Sequence, residues 1–383
     1  MPPPAPGAEG HAIFSSAHTT QDGAGTSIFV AEFFAAVARG GPPPAGAGAG
    51  ASGGTLPMNP FEVACGTALA PNKFEGLPAD EATMTAAVAP LVAVMFSTAP
   101  RNPIDAGLPG LAEAAALQLH GAMPFLKTNY VQLDGNAASF VATRAACKRA
   151  GVTLNGAYTA AFAAAYSRIR SSMDKVPGKV QCTASYCFDM RPRNAAVLPA
   201  NAIGNYFNNT AVQPLSSGVD LETPFWKNAK DVVEATKADM SSPMPSFVMK
   251  VIDSTLVTPS FTVETLKKVP GGVIEGCVLS NTGNFPGATD YTFAAADASG
   301  AGGDGLALTA SYCICGFNQA VFELCHWFQT VAGKPTYSAS FKLDRAFGER
   351  LLRNAATVYE AIGGIGEDES IGAVAERLLG AQY

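Results

Sequence analysis

The chain has 383 residues, 48 % of them hydrophobic and 15 % charged, with a formal net charge of −6 and a pI near 5.3. This length accommodates two domains with sizeable cores, and an acidic chain lacks the basic footprint of a nucleic-acid binder. No apolar run reaches the ~18 residues of a membrane helix, and residues 1–10 lack the basic and apolar regions of a secretory signal, so the expectation is a cytoplasmic protein without a membrane span.

An apolar run over 12–17 reads as a short strand. It leads into His18, Asp22 and Gly23, spaced H-x-x-x-D-G. Residues 26–39 then read as an amphipathic helix with Ile28, Phe29, Phe33, Phe34 and Val37 on its apolar side. A histidine where a strand meets a turn and a helix is well placed for chemistry, because the strand holds the backbone while the turn displays the side chain. Neutral imidazole is the usual general base near neutral pH and can take a proton from a hydroxyl or amine attacking an activated carbonyl. Asp22, past a turn, can pin the loop through an arginine from elsewhere, and Gly23 permits backbone angles that other residues adopt only with strain. The plain alternative is a loop histidine beside an ordinary Asp-Gly turn.

Residues 40–57 are Gly/Pro/Ala-rich and read as a flexible loop. Ala-rich segments with Pro breaks over 58–100 suggest short helices, and 123–132 an extended connector. Helices are expected over 134–149 and 154–169, the second capped by Thr153. A strand over 180–190 contains Cys182, Tyr186 and Phe188 and ends in Asp189-Met190-Arg191-Pro192-Arg193. Residues 203–210, with Asn205, lead into another strand, and 224–240 form a helix with Trp226 on its buried side. A strand over 273–280 ends in the turn Ser280-Asn281-Thr282-Gly283-Asn284. Residues 299–305 read as a loose loop, 306–312, 321–331 and 337–343 as an antiparallel meander, and 345–362 as a helix. The tail, 363–383, is acidic with a short terminal helix. Strands and helices mix without strict alternation, which points to α+β or mixed α/β layers. The eight cysteines lie in apolar stretches and read as reduced, mostly buried thiols. Cys313 and Cys315 lack zinc-site spacing, and no metal is expected. No role is assigned to His11, His120 or His326.

Four of these stretches together resemble the acyltransferase superfamily built on H-x-x-x-D-G. That group includes chloramphenicol acetyltransferase, the condensation domains of nonribosomal peptide synthetases, alcohol acetyltransferases and relatives of wax-ester synthase. His18 to Gly23 is similar to the active-site motif, and residues 151–155 with their Ala-rich helix resemble the start of the second domain. Asp189 to Arg193, followed by Gly204-Asn205, resembles the strand whose arginine pairs with the motif aspartate. Ser280-Asn281-Thr282-Gly283 resembles the Ser-Asn-x-Gly turn.

The resemblance implies a two-lobed, chloramphenicol-acetyltransferase-like sandwich of mixed sheets and helices. Residues 1–127 would be the remainder of the first lobe, 128–362 the second lobe and 363–383 the tail. It implies His18 as general base, Asp22 and Gly23 as structural support with Asp22 paired to Arg191, and Ser280, Asn281 and Asn205 as substrate or oxyanion contacts. It also implies acyl transfer from a thioester, acyl-CoA as co-substrate with no bound cofactor, to a small-molecule alcohol or amine acceptor. Two departures stand out. Ala17 occupies the place of the first histidine of a pair common among relatives. The motif lies at residue 18, whereas in the family it lies well over a hundred residues in, so the opening elements of the first lobe are expected to be absent. The late loop reads Gly302-Gly303-Asp304-Gly305, without the aromatic-Gly-Trp-Gly motif of plant BAHD acyltransferases. No carrier or adenylation segment is evident, which favours a free-standing enzyme. The alternatives are condensation on carrier-bound thioesters and a non-catalytic remnant that acts as a binding protein.

Overall fold

The structure is a computed structural model that describes residues 12–14, 23–38, 82, 86, 128–174, 179–180, 184–192, 200–201, 203, 207–209, 219–241, 275–292, 305–314, 322–341 and 345–380. In chain order its elements are α1 (Gly23–Ala38), β1 (Asn129–Asp134), α2 (Ala137–Ala150), α3 (Leu154–Asp174), β2 (Lys179–Val180), β3 (Ala184–Asp189), β4 (Phe207–Asn209), β5 (Val219–Asp220) and α4 (Phe225–Ser241). There follow β6 (Glu275–Asn284), β7 (Asp290–Thr292), β8 (Gly305–Ala307), β9 (Phe322–Val331), β10 (Lys334–Phe341), α5 (Arg345–Glu360), a 3₁₀ turn (Ile362–Gly364) and α6 (Ile371–Leu379).

Six strands form one mixed sheet in the order β1-β10-β9-β6-β3-β4. β9 and β10 are a hairpin whose two turn residues, Ala332 (φ 49°) and Gly333 (φ 76°), both take the left-handed geometry of a tight primed turn. β6 lies parallel to β9, and β3 parallel to β6. Strand alternation gives the sheet two faces. One face carries Tyr186, Cys277, Leu279, Leu324, Phe328, Tyr337, Ala339 and Phe341 and packs on the helices. The other carries Val278, Cys325 and Trp327, with Gln329, Thr336, Ser338 and Ser340 buried among them.

α3 is the central helix, packed against α4, α5 and α6. Its alanines make this possible: a helix surrounded by helices needs small side chains for close approach. Gly156 is the limiting case, since a Cβ there would sit 2.7 Å from the Ala229 carbonyl oxygen on α4. Tyr158 of α3 stacks on Phe328 at 5.6 Å and meets Tyr359 edge-on at 5.3 Å, fastening helix to sheet. Such pairs each contribute about 0.5–1.5 kcal/mol beyond area burial. Thr153 caps α3 as expected, its Oγ1 accepting from the Gly156 N–H at 3.1 Å. Ile371, Val374 and Ala375 of α6 join the same core.

Several boundaries differ from the sequence reading. Residues 12–14 have no regular structure, while 15–22 lie outside the described residues, as do 40–57 and, except for 82 and 86, 58–127. The helix read as 26–39 begins at Gly23. The helix read from 134 starts at Ala137, because Asp134 still pairs with Thr336 in the sheet and Asn136 caps the helix by accepting from the Ser139 N–H. The strand read over 180–190 is two pieces: Lys179–Val180 pairs with β5, and only Ala184–Asp189 enters the main sheet. The meander is incomplete. β8 pairs with β7 instead, and residues 308–314 run on as irregular chain held by Thr336 Oγ1 to the Ser311 carbonyl and Ser338 Oγ to the Cys313 carbonyl. The described cysteines fit the thiol reading: Cys147, Cys277 and Cys325 are buried, Cys187 and Cys313 half-buried, all unbridged.

Candidate functional site

α1 follows the H-x-x-x-D-G motif directly, Gly23 being both the last motif residue and the first helical one. Its sequence is apolar around the whole circumference, with Glu32 its one charged residue. Of the apolar side read from the sequence, Ile28 turns inward and Phe34 is half-buried, but Phe29, Phe33 and Val37 turn out. Ser27, Ile28 and Ala31 are buried, whereas Phe29 and Phe33 are 41 % and 43 % exposed and Val37 is exposed too. The cause is close approach: a Cβ on Gly287 would stand 2.5 Å from the Ala31 Cβ, so only small residues fit this contact. Ala31 packs on Phe285 and Val331, and Phe34 lies 5.7 Å from the Tyr291 ring. The outward rings gather around Phe14, which meets Phe29, Phe33 and Phe34 edge-on at 5.3–6.1 Å.

A polar contact holds Ser27, the fifth residue of α1, to the sheet. Gln329 Nε2, on β9, donates to Ser27 Oγ at 2.9 Å, with both residues buried. Gln329 also marks an irregularity in the sheet. β6 runs through the Ser-Asn-Thr-Gly segment, which is therefore a strand with a bulge and not the turn read from sequence. Ser280 pairs with Trp327 and Asn281 with Phe328. The register then shifts, and Gly283 pairs with Gln329. Asn281 Oδ1 accepts from the Gly283 N–H at 2.8 Å, an Asx closure that leaves Thr282 as the extra residue. Gly283 takes φ +75°, which a glycine adopts without strain. Ser280 and Asn281 are half-buried. The bulge, the end of β9 and the start of the motif helix thus meet at Gln329.

Arg191 lies just past β3, its side chain only 2 % exposed. Its Nη1 pairs with Asp189 Oδ1 at 2.9 Å, and its backbone N–H donates to the same oxygen at 2.9 Å. Asp189, two residues earlier, is a partner the sequence reading did not consider. His18, Asp22 and Asn205 lie outside the described residues.

His326 went unassigned in the sequence, yet it is only 1 % exposed. It stands on the helix face of β9, with Nδ1 3.4 Å from the Tyr158 hydroxyl and its ring edge-on to Phe162 at 5.1 Å. Burial pushes its pKa down to about 3, so the imidazole is neutral. The signal was present in the alternation Leu324, His326, Phe328, which places it on the apolar face. Among the described residues no three His, Cys, Asp or Glu side chains converge as metal ligands, and no helix is long and apolar enough to cross a membrane.

No family model and no curated protein matches the sequence. Solved structures do match in fold. The condensation domain from Monacolin K polyketide synthase MokA aligns with a TM-score of 0.52 at 10 % identity, covering 91 % of this chain and 68 % of that one. The X-domain from teicoplanin biosynthesis gives 0.50 at 12 % identity, covering 93 % and 69 %. TRI3 trichothecene 15-O-acetyltransferase from Fusarium sporotrichioides gives 0.47 at 10 % identity, covering 75 % of this chain and 55 % of that one. The chain thus spans about half to two thirds of these structures. At such identities the likeness is one of fold: the chain has the mixed α/β fold of condensation domains.

Proposed function

We propose that this chain transfers an acyl group from a thioester, acyl-CoA in the first instance, to an alcohol or amine. His18 takes the acceptor proton as the oxygen or nitrogen attacks the thioester carbonyl. A tetrahedral oxyanion forms, with Ser280, Asn281 or Asn205 donating to it. The carbon–sulfur bond then breaks, and the imidazolium returns its proton to the leaving thiolate. Asp22 holds the motif loop by pairing with Arg191. A guanidinium offers five N–H donors, so the Asp189 contact leaves room for a second carboxylate.

What supports the reading is the junction at Gln329. The helix that directly follows the motif is fastened there to the strand pair bearing Ser280, Asn281 and Gly283. Residues 151–155, 189–191 and 280–283, singled out separately in the sequence, lie on one fold of condensation-domain type. The test supplies acetyl-, hexanoyl- and palmitoyl-CoA with a panel of alcohols and amines and follows thiol release. The wild type should turn over, and His18→Ala should lose about 10²–10⁴ in rate at an unchanged urea midpoint. Full activity in His18→Ala overturns the assignment. Turnover only with thioesters on a phosphopantetheinyl carrier selects the condensation alternative. Silence with both donors leaves a binding protein.

A further inference from the structure

Tyr291 is a buried tyrosine that lies outside the helix–sheet core. Its side chain is 6 % exposed, and its hydroxyl is buried without a hydrogen-bond partner. A hydroxyl in that position has lost water and gained nothing in return, which folded chains rarely tolerate without a reason. Elsewhere this fold supplies partners: the Tyr158 hydroxyl meets His326 and the Tyr337 hydroxyl meets Glu360. The Tyr359 hydroxyl also lacks one, but its ring is sealed in the helix–sheet core among Tyr158, Phe328 and Tyr337. Tyr291 sits instead at the edge of a partly open aromatic group. Its ring lies against Phe34, and Phe34 lies 5.5 Å from the exposed Phe33. The remaining neighbour that matters is Glu32, an exposed carboxylate on the same helix whose charge acts on the phenol.

We propose that the Tyr291 hydroxyl is a ligand-binding donor, and that it receives a neutral oxygen (ketone, ester or ether) carried by an apolar molecule whose body takes the place of ring contacts among Phe14, Phe33 and Phe34. Burial, with Glu32 adding to it, raises the phenol pKa above its usual value, so the group stays protonated and donates. The Glu32 carboxylate disfavours an anionic ligand at the same spot. Tyr291 lies beside Phe34, seven residues along α1 from the Ser27 anchor, or ~10 Å at 1.5 Å per residue. Identifying the ligand as a substrate rests on the acyl-transfer reading; the binding itself does not.

The test measures binding to the full chain without turnover, using 4-phenylbutan-2-one, butylbenzene and 4-phenylbutanoate. The ketone should bind roughly 3- to 10-fold tighter than the hydrocarbon, the value of one net hydrogen bond, and the carboxylate most weakly. In Tyr291→Phe the ketone preference should vanish, while the urea midpoint stays level or rises because no internal partner is lost. Glu32→Gln should narrow the gap between ketone and carboxylate. His18→Ala should bind the ketone like the wild type, which separates this proposal from the catalytic one. A lowered midpoint in Tyr291→Phe, a preserved ketone preference, or no binding by either neutral probe overturns the proposal.

Discussion

Replacing His326 gives the most sharply defined outcome. The imidazole is 1 % exposed, flanked on neighbouring strands by Leu279 and Ala339 and capped by Phe162. Its folded pKa of about 3 lies below the ordinary 6.5, and burial is the cause. Between those values the unfolded chain carries a proton on this ring that the folded chain refuses. Protons therefore favour unfolding, and stability falls as pH drops below 6.5. Each pH unit is worth about 1.4 kcal/mol, so the loss reaches about 2 kcal/mol by pH 5 and about 4 kcal/mol near pH 3. The upper window is the cleaner one. At Asp134 burial is outweighed by Lys334 and Tyr312, and at Glu369 Arg377 dominates; both carboxyls are held below their ordinary range, so their stabilisation fades only at lower pH. The assay is urea unfolding of the wild type and His326→Gln at half-unit steps from pH 7 to 5. The two stabilities should converge by about 2 kcal/mol as pH falls, with the other three histidines common to both chains. Parallel curves would show that this ring either accepts its proton in place or is solvated, and the burial argument would fail.

Three further outcomes concern the site. Gln329→Leu leaves the Ser27 hydroxyl without this partner and should cost about 1–3 kcal/mol. The double variant with Ser27→Ala should cost less than the sum, and amide exchange over α1 should quicken in either single variant. Gly283→Ala meets no atom within 4 Å, so its cost is backbone alone, about 1–2 kcal/mol for a left-handed residue, read as a lowered urea midpoint. Arg191→Gln should cost roughly 3 kcal/mol because its side chain is buried, whereas Asp189→Asn should cost under about 1 kcal/mol because Asp189 is 38 % exposed. With Asp22 as the second partner of Arg191, Asp22→Asn costs more than Asp189→Asn; equal small losses for the two would refute that pairing.

Local chemistry made part of this fold legible, and long-range geometry hid the rest. Thr153, the Ala-rich run of α3 and the apolar face of α4 with Trp226 carry their own instructions, and the helices appear where those residues place them. The β9–β10 pair is legible for the same reason, since alternating residues flank a short turn. What no local pattern carries is partner choice. β8 is an ordinary three-residue stretch until β7 is beside it, and the insertion of β6 between β3 and β9 requires two parallel crossovers. The Ser-Asn-Thr-Gly segment misleads because turn chemistry and bulge chemistry use the same residues. Asn281 closes an Asx bond and Gly283 takes positive φ in both, and only the register against Phe328 and Gln329 makes it a strand.

α1 shows the limit most clearly. Hydrophobic periodicity orients a helix only when polar residues mark an outside, and this helix has one charged residue in sixteen. With hydrophobicity uninformative, size decides. The surface offered by Gly287, Phe285 and Val331 lies close, so Ser27 and Ala31, four residues apart on one stripe, turn inward and the bulkier Phe29 and Phe33 turn out. The buried serine then needs a donor, and Gln329, 302 residues away, supplies it. A small-residue stripe carrying one hydroxyl on an otherwise apolar helix is thus the readable trace of a close, hydrogen-bonded contact. In this chain that trace lies immediately after the motif histidine and aspartate, where the general-base role proposed for His18 calls for a rigid helix start.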